Sequence, residues 1–188
     1  MRADQGAGPE HKLSLSVATG AAYVRESWNP NDGNPGSVKT GWAPAVDISV
    51  GRVLSPNLIA GVILEATALF DPTESFAGND YQLTDVADVV CLTGVFLEDR
   101  RLPRVPVRAG LAVGAVTSLL YDHAQDQVQT RLGVGFSPYV GYDRRVSGPW
   151  WIGLLARVAF YQNVAGDIPS SATARGLVTS LLLTFTRR

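Results

Sequence analysis

Apolar and polar residues alternate with a period of two along most of the chain. The segment WWIGLLARVAFY, residues 150–161, shows this most clearly, because Ile152, Leu154 and Phe160 share one face while Arg157 lies on the other. A period of two is typical of a β-strand, whereas an amphipathic helix repeats every 3.6 residues. Because an unpaired guanidinium is costly to bury, the two faces of this strand must meet different environments.

Turn-forming residues divide the chain into eight strand-like segments that are rich in Val, Leu, Thr and aromatic residues. Two kinds of connection alternate between these segments. The long polar connections are 29–40, 71–80, 122–127 and 162–174, and the short turns are 55–57, 99–104 and 144–149. Such an order predicts an up-and-down meander, which leaves no exposed edge strands if it closes on itself.

In these segments one face is bulky and apolar, and the other carries glycine, alanine, small hydroxyl residues and a few charges. A soluble barrel has the opposite arrangement, with large apolar side chains inside. The interior of an eight-stranded barrel is narrow, which suits small residues crossed by a few long charged ones. We therefore predict an all-β fold, a closed eight-stranded antiparallel up-and-down transmembrane β-barrel with its apolar face toward lipid. The charged residues expected to form an ion-paired network in the lumen are Asp47, Glu65, Asp88, Arg108, Arg131 and Arg157.

Aromatic residues gather near the ends of the predicted strands. Toward the long connections these are Tyr23, Trp28, Trp42, Phe70, Tyr81, Tyr121 and Tyr161, and toward the short turns Phe96, Tyr142, Trp150, Trp151 and Phe185. Aromatic side chains prefer membrane interfaces, so the pattern predicts two girdles. The alternative is that these aromatics only flank strands, as they do in many β proteins.

Composition excludes several classes of protein, among them nucleic-acid binders and proteins with an intrachain disulfide. The chain has 188 residues and a net charge of -1, so it lacks a basic field for nucleic acid. One cysteine excludes an intrachain disulfide, two histidines argue against a multi-histidine metal site, and no cofactor is predicted. No apolar run reaches the length of a transmembrane helix.

We expect residues 1–11 to be disordered and 12–188 to form one barrel domain. The start has no apolar signal segment, so a signal peptide is presumed removed.

Three stretches, RAGLAVGAV, GVGFSPYVGYDRRVSGPWW and LVTSLLLTFT, resemble the small eight-stranded outer-membrane β-barrels of Gram-negative bacteria, the OmpA/OmpX/OmpW-like superfamily. The resemblance extends from Leu13 to Phe185. It implies a place in the bacterial outer membrane, with the long loops outside the cell and the short turns in the periplasm. Family members usually end on an aromatic residue, whereas here Phe185 is followed by Thr186, Arg187 and Arg188.

Charge differs between the two ends of the predicted barrel. The long connections carry Asp32, Asp71, Glu74, Asp80, Asp122, Asp126 and Asp167, and the short-turn end carries Arg52, Arg100, Arg101, Arg104, Arg144, Arg145, Arg187 and Arg188. The arginines suit anionic lipid headgroups. The acidic residues could bind cations or a basic partner. The alternative is that they are ordinary solvated loop residues.

The function predicted from these features is a non-enzymatic, structural or surface-interaction role. The expected partners are outer-membrane lipid or detergent, and a surface ligand or protein bound by the long loops. Three alternatives stay open: a narrow channel or transporter for small or hydrophobic solutes, a soluble lipocalin-like ligand binder, and an outer-membrane lipid hydrolase. The hydrolase would use His123, Asp122 and Ser118, although no nucleophile motif surrounds the serine.

Overall fold

The computed structural model describes residues 13–30, 35–55, 57–102, 106–123, 126–166 and 172–187. The segment 1–11, expected to be disordered, lies outside this range. No helix in the described part of the chain is long and apolar enough to cross a membrane. The ten strands are β1 (Leu13–Pro30), β2 (Ser37–Ser55), β3 (Leu58–Phe70), β4 (Thr73–Phe76), β5 (Asn79–Gln82), β6 (Val86–Leu102), β7 (Val107–Asp122), β8 (Gln127–Ser147), β9 (Trp150–Gly166) and β10 (Ala172–Arg187).

Eight of the strands close into a ring. Each long strand pairs antiparallel with its neighbour in the chain, and β1 pairs with both β2 and β10, which joins the two ends of the sheet. The eight-stranded antiparallel up-and-down barrel predicted from the sequence is therefore confirmed. The short strands β4 and β5 form a hairpin that adds to the outer part of β2, where Thr73–Phe76 pairs with Ser37–Thr40.

The barrel has two different ends. The loop end carries the connections 31–36, 71–85, 123–126 and 167–171, and the turn end carries 56–57, 103–106 and 148–149 together with the start of β1 and the end of β10. At the loop end the strands run further than the sequence predicted. The predicted connection 29–40, for example, contains the last residues of β1 and the first four residues of β2. These residues remain in the ladder because each still has a β partner: Asn29 and Pro30 pair with β10, and the first four residues of β2 pair with β1.

Apart from local register shifts, side chains alternate between an outer wall and the interior, which confirms the face assignments. Leu154 and Leu181 on the outer wall are 53% and 61% exposed, whereas the adjacent Leu155 and Leu182 are 6% and 0% exposed. The alternation places the large apolar side chains predicted to face outward on the outer wall.

The interior is less uniformly small and polar than the sequence indicated. Between the charged residues it holds several large apolar side chains, namely Ile59, Ile63, Leu92, Phe96, Leu155 and Leu182. Glycine on a facing strand makes room for them: a Cβ atom added to Gly51 would lie 2.9 Å from the Phe96 ring. The barrel is therefore filled by apolar packing as well as by ion pairs.

Candidate functional site

Charged side chains cross the barrel interior in three layers, and the middle layer contains Arg157, Asp47, Glu65 and Ser180. The Arg157 guanidinium on β9 forms ion pairs with Asp47 on β2 and, at 3.2 Å, with Glu65 on β3. It also donates hydrogen bonds of 3.0 and 3.2 Å to the hydroxyl of Ser180 on β10. Arg157 is only 2% exposed. An arginine can thus lie in an apolar strand because its partners reach it from three other strands.

The loop-end layer contains Glu26, Arg131, Tyr161 and Trp28. The Arg131 guanidinium is 2.7 Å from a carboxylate oxygen of Glu26, and the Tyr161 hydroxyl donates a 2.8 Å hydrogen bond to the other oxygen. The Trp28 ring lies over Arg131, with its centroid 5.0 Å from the guanidinium carbon. The indole ring therefore sits at the loop end of the lumen rather than on the outer wall.

The turn-end layer contains Glu98, Arg108, Tyr139, Asp143 and Arg100. Glu98 accepts hydrogen bonds from Arg108 at 2.9 Å and from Tyr139 at 3.2 Å, and it forms a further ion pair with Arg100. Arg108 also lies 3.2 Å from a carboxylate oxygen of Asp143. This layer links β6, β7 and β8 at the end of the barrel that carries the short turns.

The structure places all six charged residues named from the sequence in the barrel interior, but it pairs them differently. Of the three acids, Asp47 and Glu65 meet Arg157, while Arg131 and Arg108 use carboxylates that the sequence analysis did not name. Oδ1 of Asp88 has no hydrogen-bond partner among the described residues. The buried charged residues missed from the sequence are Glu26, Lys39, Glu98 and Asp143.

These four residues were missed because they lie at the ends of strands. Lys39 fell inside a predicted loop, and Glu98 and Asp143 each precede a predicted short turn by one residue. Glu26 continues the inward face of β1 beyond Ala22 and Val24. Extending the period of two to the true strand ends would have found all of them.

The aromatic residues occupy several different environments. Tyr23, Trp42, Phe70, Tyr142, Trp150 and Phe185 are exposed on the outer wall, and Tyr23 packs edge-to-face against Trp42 at 5.5 Å. Tyr121 and Trp151 are half-buried, and the exposed Tyr81 belongs to the β4–β5 hairpin beyond the ring.

Four aromatic residues depart from the predicted girdles, one of them Trp151, which is paired with the buried Thr186 and shares its inward face. Phe96 and Tyr161 are 7% and 6% exposed and point into the barrel, and Trp28 covers Arg131 at the loop end. Proximity to a strand end predicted their height in the barrel but not their face. Alternation decides the face, and it places Phe96 with Glu98, and Trp28 with Glu26, on the inside.

The layers leave little open space in the lumen. Two cavities next to Arg157 each have a volume of about 20 Å³. One lies among Asp47, Glu65 and Arg108, and the other lies among Leu92, Val116 and Tyr161. A cavity of this size holds about one water molecule. Around the middle layer, the described side chains therefore leave room for water but not for larger solutes.

The side chains of the hydrolase alternative do not form a surface site. Ser118 lies in the barrel interior, where it accepts a 3.4 Å hydrogen bond from Asn163, whereas His123 is exposed in the connection after β7. Within the residues that the structure describes, no group of three His, Cys, Asp or Glu side chains is placed to hold a metal ion.

The two ends of the barrel differ in charge. At the loop end Asp71, Asp80, Asp85 and Asp126 are exposed, and the described connection 71–85 contains no Lys or Arg. At the turn end the exposed arginines are Arg52, Arg144, Arg145 and Arg187. Of the charged residues named from the sequence, Asp32, Asp167, Arg104, Arg188 and the side chain of Arg101 lie outside the described part.

Comparison with known proteins gives matches in structure alone. No family model matches the chain, and no curated protein matches its sequence. The crystal structure of Neisserial surface protein A (NspA) matches with a TM-score of 0.52 and 14% identity, covering 92% of this chain and 96% of that one. The crystal structure of OprG from Pseudomonas aeruginosa matches with a TM-score of 0.50 and 9% identity, covering 94% of each chain.

These matches extend over nearly the whole of each chain, and they agree with the closed ring of eight strands. Their low sequence identity limits what they show to the architecture. The chain shares its fold, a closed eight-stranded antiparallel β-barrel, with NspA and with the outer membrane protein OprG.

Proposed function

We propose that this protein is a closed, non-enzymatic outer-membrane β-barrel with a structural or surface-interaction role at its loop end. The observation that carries the proposal is the filled lumen of the described residues, in which apolar side chains separate three layers of paired charges and the two cavities next to Arg157 hold about one water molecule each. A barrel without a passage has its ends and its outer wall as contact surfaces.

The outer wall of β10 supports insertion into a bilayer. Its outward residues run from Arg175 near the loop end to Arg187 at the turn end, and those between them are Leu177, Thr179, Leu181, Leu183 and Phe185. A strand rises about 3.4 Å per residue, so these twelve steps in a tilted strand span roughly 30 Å across the barrel. This distance matches the hydrocarbon core of a bilayer, about 30 Å thick.

The charge of the loop end supports a contact with a cationic partner. Four exposed aspartates lie on two connections of this end, 71–85 and 123–126, and the β4–β5 hairpin raises Glu74 and Asp80 above the ring. A surface of one sign attracts opposite charge and repels its own. We therefore propose that the loop end binds cations or a basic surface, with an affinity that falls as salt rises.

Conductance across a planar bilayer tests the closed lumen. The purified protein, inserted as verified by a heat-modifiability gel, should leave the conductance at the level of the bare bilayer, while a wide general porin raises it in the same chamber. Removing one layer with Arg131→Ala and Tyr161→Ala should also leave the conductance unchanged, because the middle layer still crosses the lumen. Discrete openings of the wild-type protein would instead establish the narrow-channel alternative.

Binding of a polylysine peptide to the protein in nanodiscs tests the loop end. Replacing Asp71, Asp80, Asp85 and Asp126 with Asn should weaken binding by about fourfold or more at low salt, since each exposed charge pair with the peptide contributes about 0.2–1 kcal/mol. The matched control replaces four exposed turn-end arginines, Arg52, Arg144, Arg145 and Arg187, with Gln. Equal binding by wild type and the Asn variant would contradict the surface-interaction role.

A further inference from the structure

Two arginines lie side by side on the outer wall near the loop end. Arg25 on β1 is directly opposite Leu177 on β10, and Ser27 is opposite Arg175. Arg25 and Arg175 are therefore diagonal neighbours on one face, about 7–8 Å apart at their backbones, within reach of each other's long side chains. Both are exposed, and neither is paired with a carboxylate among the residues that the structure describes.

An apolar groove on the outer wall begins at Arg175. Its lining includes Val113, Val134, Phe136 and Phe160, with Gln162 beside Arg175 at the end nearest the loops. The groove has a volume of about 750 Å³, within the range of about 300–1,000 Å³ that is usual for ligand sites. Phe136 and Phe160 stack at a centroid distance of 5.0 Å and form an apolar surface across β8 and β9.

The groove and the arginine pair together fit a single amphiphilic ligand, with an apolar part in the groove and an anionic group at the arginines. In β10, Arg175 is two residues further toward the loop end than Leu177, which pairs with Phe160, so the charge lies about 7 Å from the aromatic pair along the strand. Guanidinium groups bind phosphate oxygens in pairs and keep their charge at every physiological pH. An apolar groove with Arg175 in its lining, and with Arg25 next to Arg175 on the neighbouring strand, therefore complements an acyl chain attached to a phosphate.

We propose that this part of the wall binds one phosphorylated glycolipid of the outer leaflet, with its phosphate between Arg25 and Arg175 and an acyl chain in the groove over Phe136 and Phe160. The inference rests on the proposed membrane location, in which the loop end faces outward. It is separate from the turn-end arginines, which lie at the opposite interface.

A second groove on the same barrel provides an internal comparison. It has a volume of about 870 Å³ and an apolar lining that includes Val62, Leu97 and Leu111, but its charged residue is Asp99. None of the lining residues that the structure describes is a lysine or an arginine, so apolar shape alone should not retain an anionic lipid there. Charge, and not groove volume, distinguishes the two grooves.

The test measures how much lipid stays bound to the detergent-solubilised full-length chain, by native mass spectrometry. Phosphorylated lipid A is the probe, and the double variant Arg25→Gln, Arg175→Gln should bind it about tenfold more weakly or worse. The double variant Arg144→Gln, Arg145→Gln removes the same charge from the turn end and should bind like wild type. Phe160→Ala should weaken binding, whereas Leu97→Ala in the second groove should not.

Two further probes separate a lipid from a simple anion. Lipid A without its phosphates should bind about tenfold more weakly than the phosphorylated form, and inorganic phosphate should not displace the bound lipid. The inference is overturned if the Arg25 and Arg175 variant keeps its lipid, if the dephosphorylated lipid binds equally well, or if phosphate alone competes. A protein that inserts and stays non-conducting in any of these cases loses only this inference, whereas failure to enter a bilayer removes the proposed function as well.

Discussion

Arg157 connects four strands of the barrel through one guanidinium. Its contacts with Asp47, Glu65 and Ser180 lie in the interior, where each ion would be costly to hold alone. Oδ2 of Asp47 and Oε1 of Glu65 have no hydrogen-bond partner among the described residues, so both carboxylates depend heavily on this one cation. The cost of removing Arg157 is therefore mainly the cost of leaving two buried acids without it.

Replacing Arg157 with leucine should destabilise the refolded barrel by about 3–5 kcal/mol, the cost of breaking a buried ion pair by removing one partner. The measurement is the free energy of unfolding in urea, in lipid vesicles. Arg144→Leu is the control, because Arg144 is exposed at the turn end, where a substitution typically changes stability by less than about 0.5 kcal/mol. An unfolding midpoint for Arg157→Leu equal to wild type would contradict the paired lumen.

A triple variant tests whether the loss of stability in Arg157→Leu comes from the two carboxylates that it leaves without a cation. Adding Asp47→Asn and Glu65→Gln to Arg157→Leu should recover part of the lost stability, since neutral amides are cheaper to bury than carboxylates. If the change in the free energy of unfolding of the triple variant equals the sum of the changes of the separate variants, the three residues do not act as one unit.

Tyr161 occupies the space that a side chain at position 176 would need. A Cβ atom on Gly176 would overlap the Tyr161 ring, which holds its hydroxyl 2.8 Å from Glu26. Gly176→Ala should therefore cost about 1–3 kcal/mol, the usual range for overpacking. The same substitution in a Tyr161→Ala background should cost clearly less, and equal costs in both backgrounds, measured by urea unfolding, would disprove the contact.

At the scale of the strand, alternation alone predicted the faces, while strand length was underestimated. The run Leu181–Leu182–Leu183 has no polar residue to mark its faces, yet its register follows from Ser180 and Thr184 inside. The ends were harder to predict, because polar residues such as Lys39 read as loop although they remain paired in the ladder. Composition indicates where the apolar span ends, and the backbone pairing continues past that point.

Ion-pair partners could not be derived from the sequence for a related reason. Arg131 meets Glu26, which is 105 residues away in the chain, so the contact depends on barrel closure and on the shear of the sheet. Periodicity places a residue on a face, but it does not say which residues of distant strands share a height. The inward direction of Arg131 could be predicted, whereas its partner required coordinates.

An arginine scan along β10 should report the depth of each outward residue. Leu181→Arg lies midway between Arg175 and Arg187 and should cost about 2–4 kcal/mol, while Leu177→Arg, nearer the loop-end interface, should cost about 0–1 kcal/mol. Unfolding in lipid vesicles measures both. Equal costs at the two positions would contradict a bilayer centred on Leu181.

At the scale of the whole molecule, the alternation with a period of two gives the barrel two different surfaces, the outer wall and the lumen. The outward residues form an apolar wall. Among the residues that the structure describes, the inward ones include six buried acids and four buried bases, namely Glu26, Asp47, Glu65, Asp88, Glu98, Asp143, Lys39, Arg108, Arg131 and Arg157. The ring closes because β1 pairs with β10 from Leu15 to Pro30, so every barrel strand has two neighbours. A closed sheet satisfies its backbone groups internally, which a bilayer requires.

The measurement that tests this orientation most directly is magnetisation transfer between lipid acyl chains and leucine methyl groups, recorded by NMR on the protein in nanodiscs. Leu154, Leu181 and Leu183 should show strong cross-peaks to the lipid methylenes, whereas Leu155 and Leu182, their chain neighbours in the interior, should show none. Cross-peaks from Leu155 and Leu182, with none from the other three, would contradict an apolar wall in lipid and a charged lumen within.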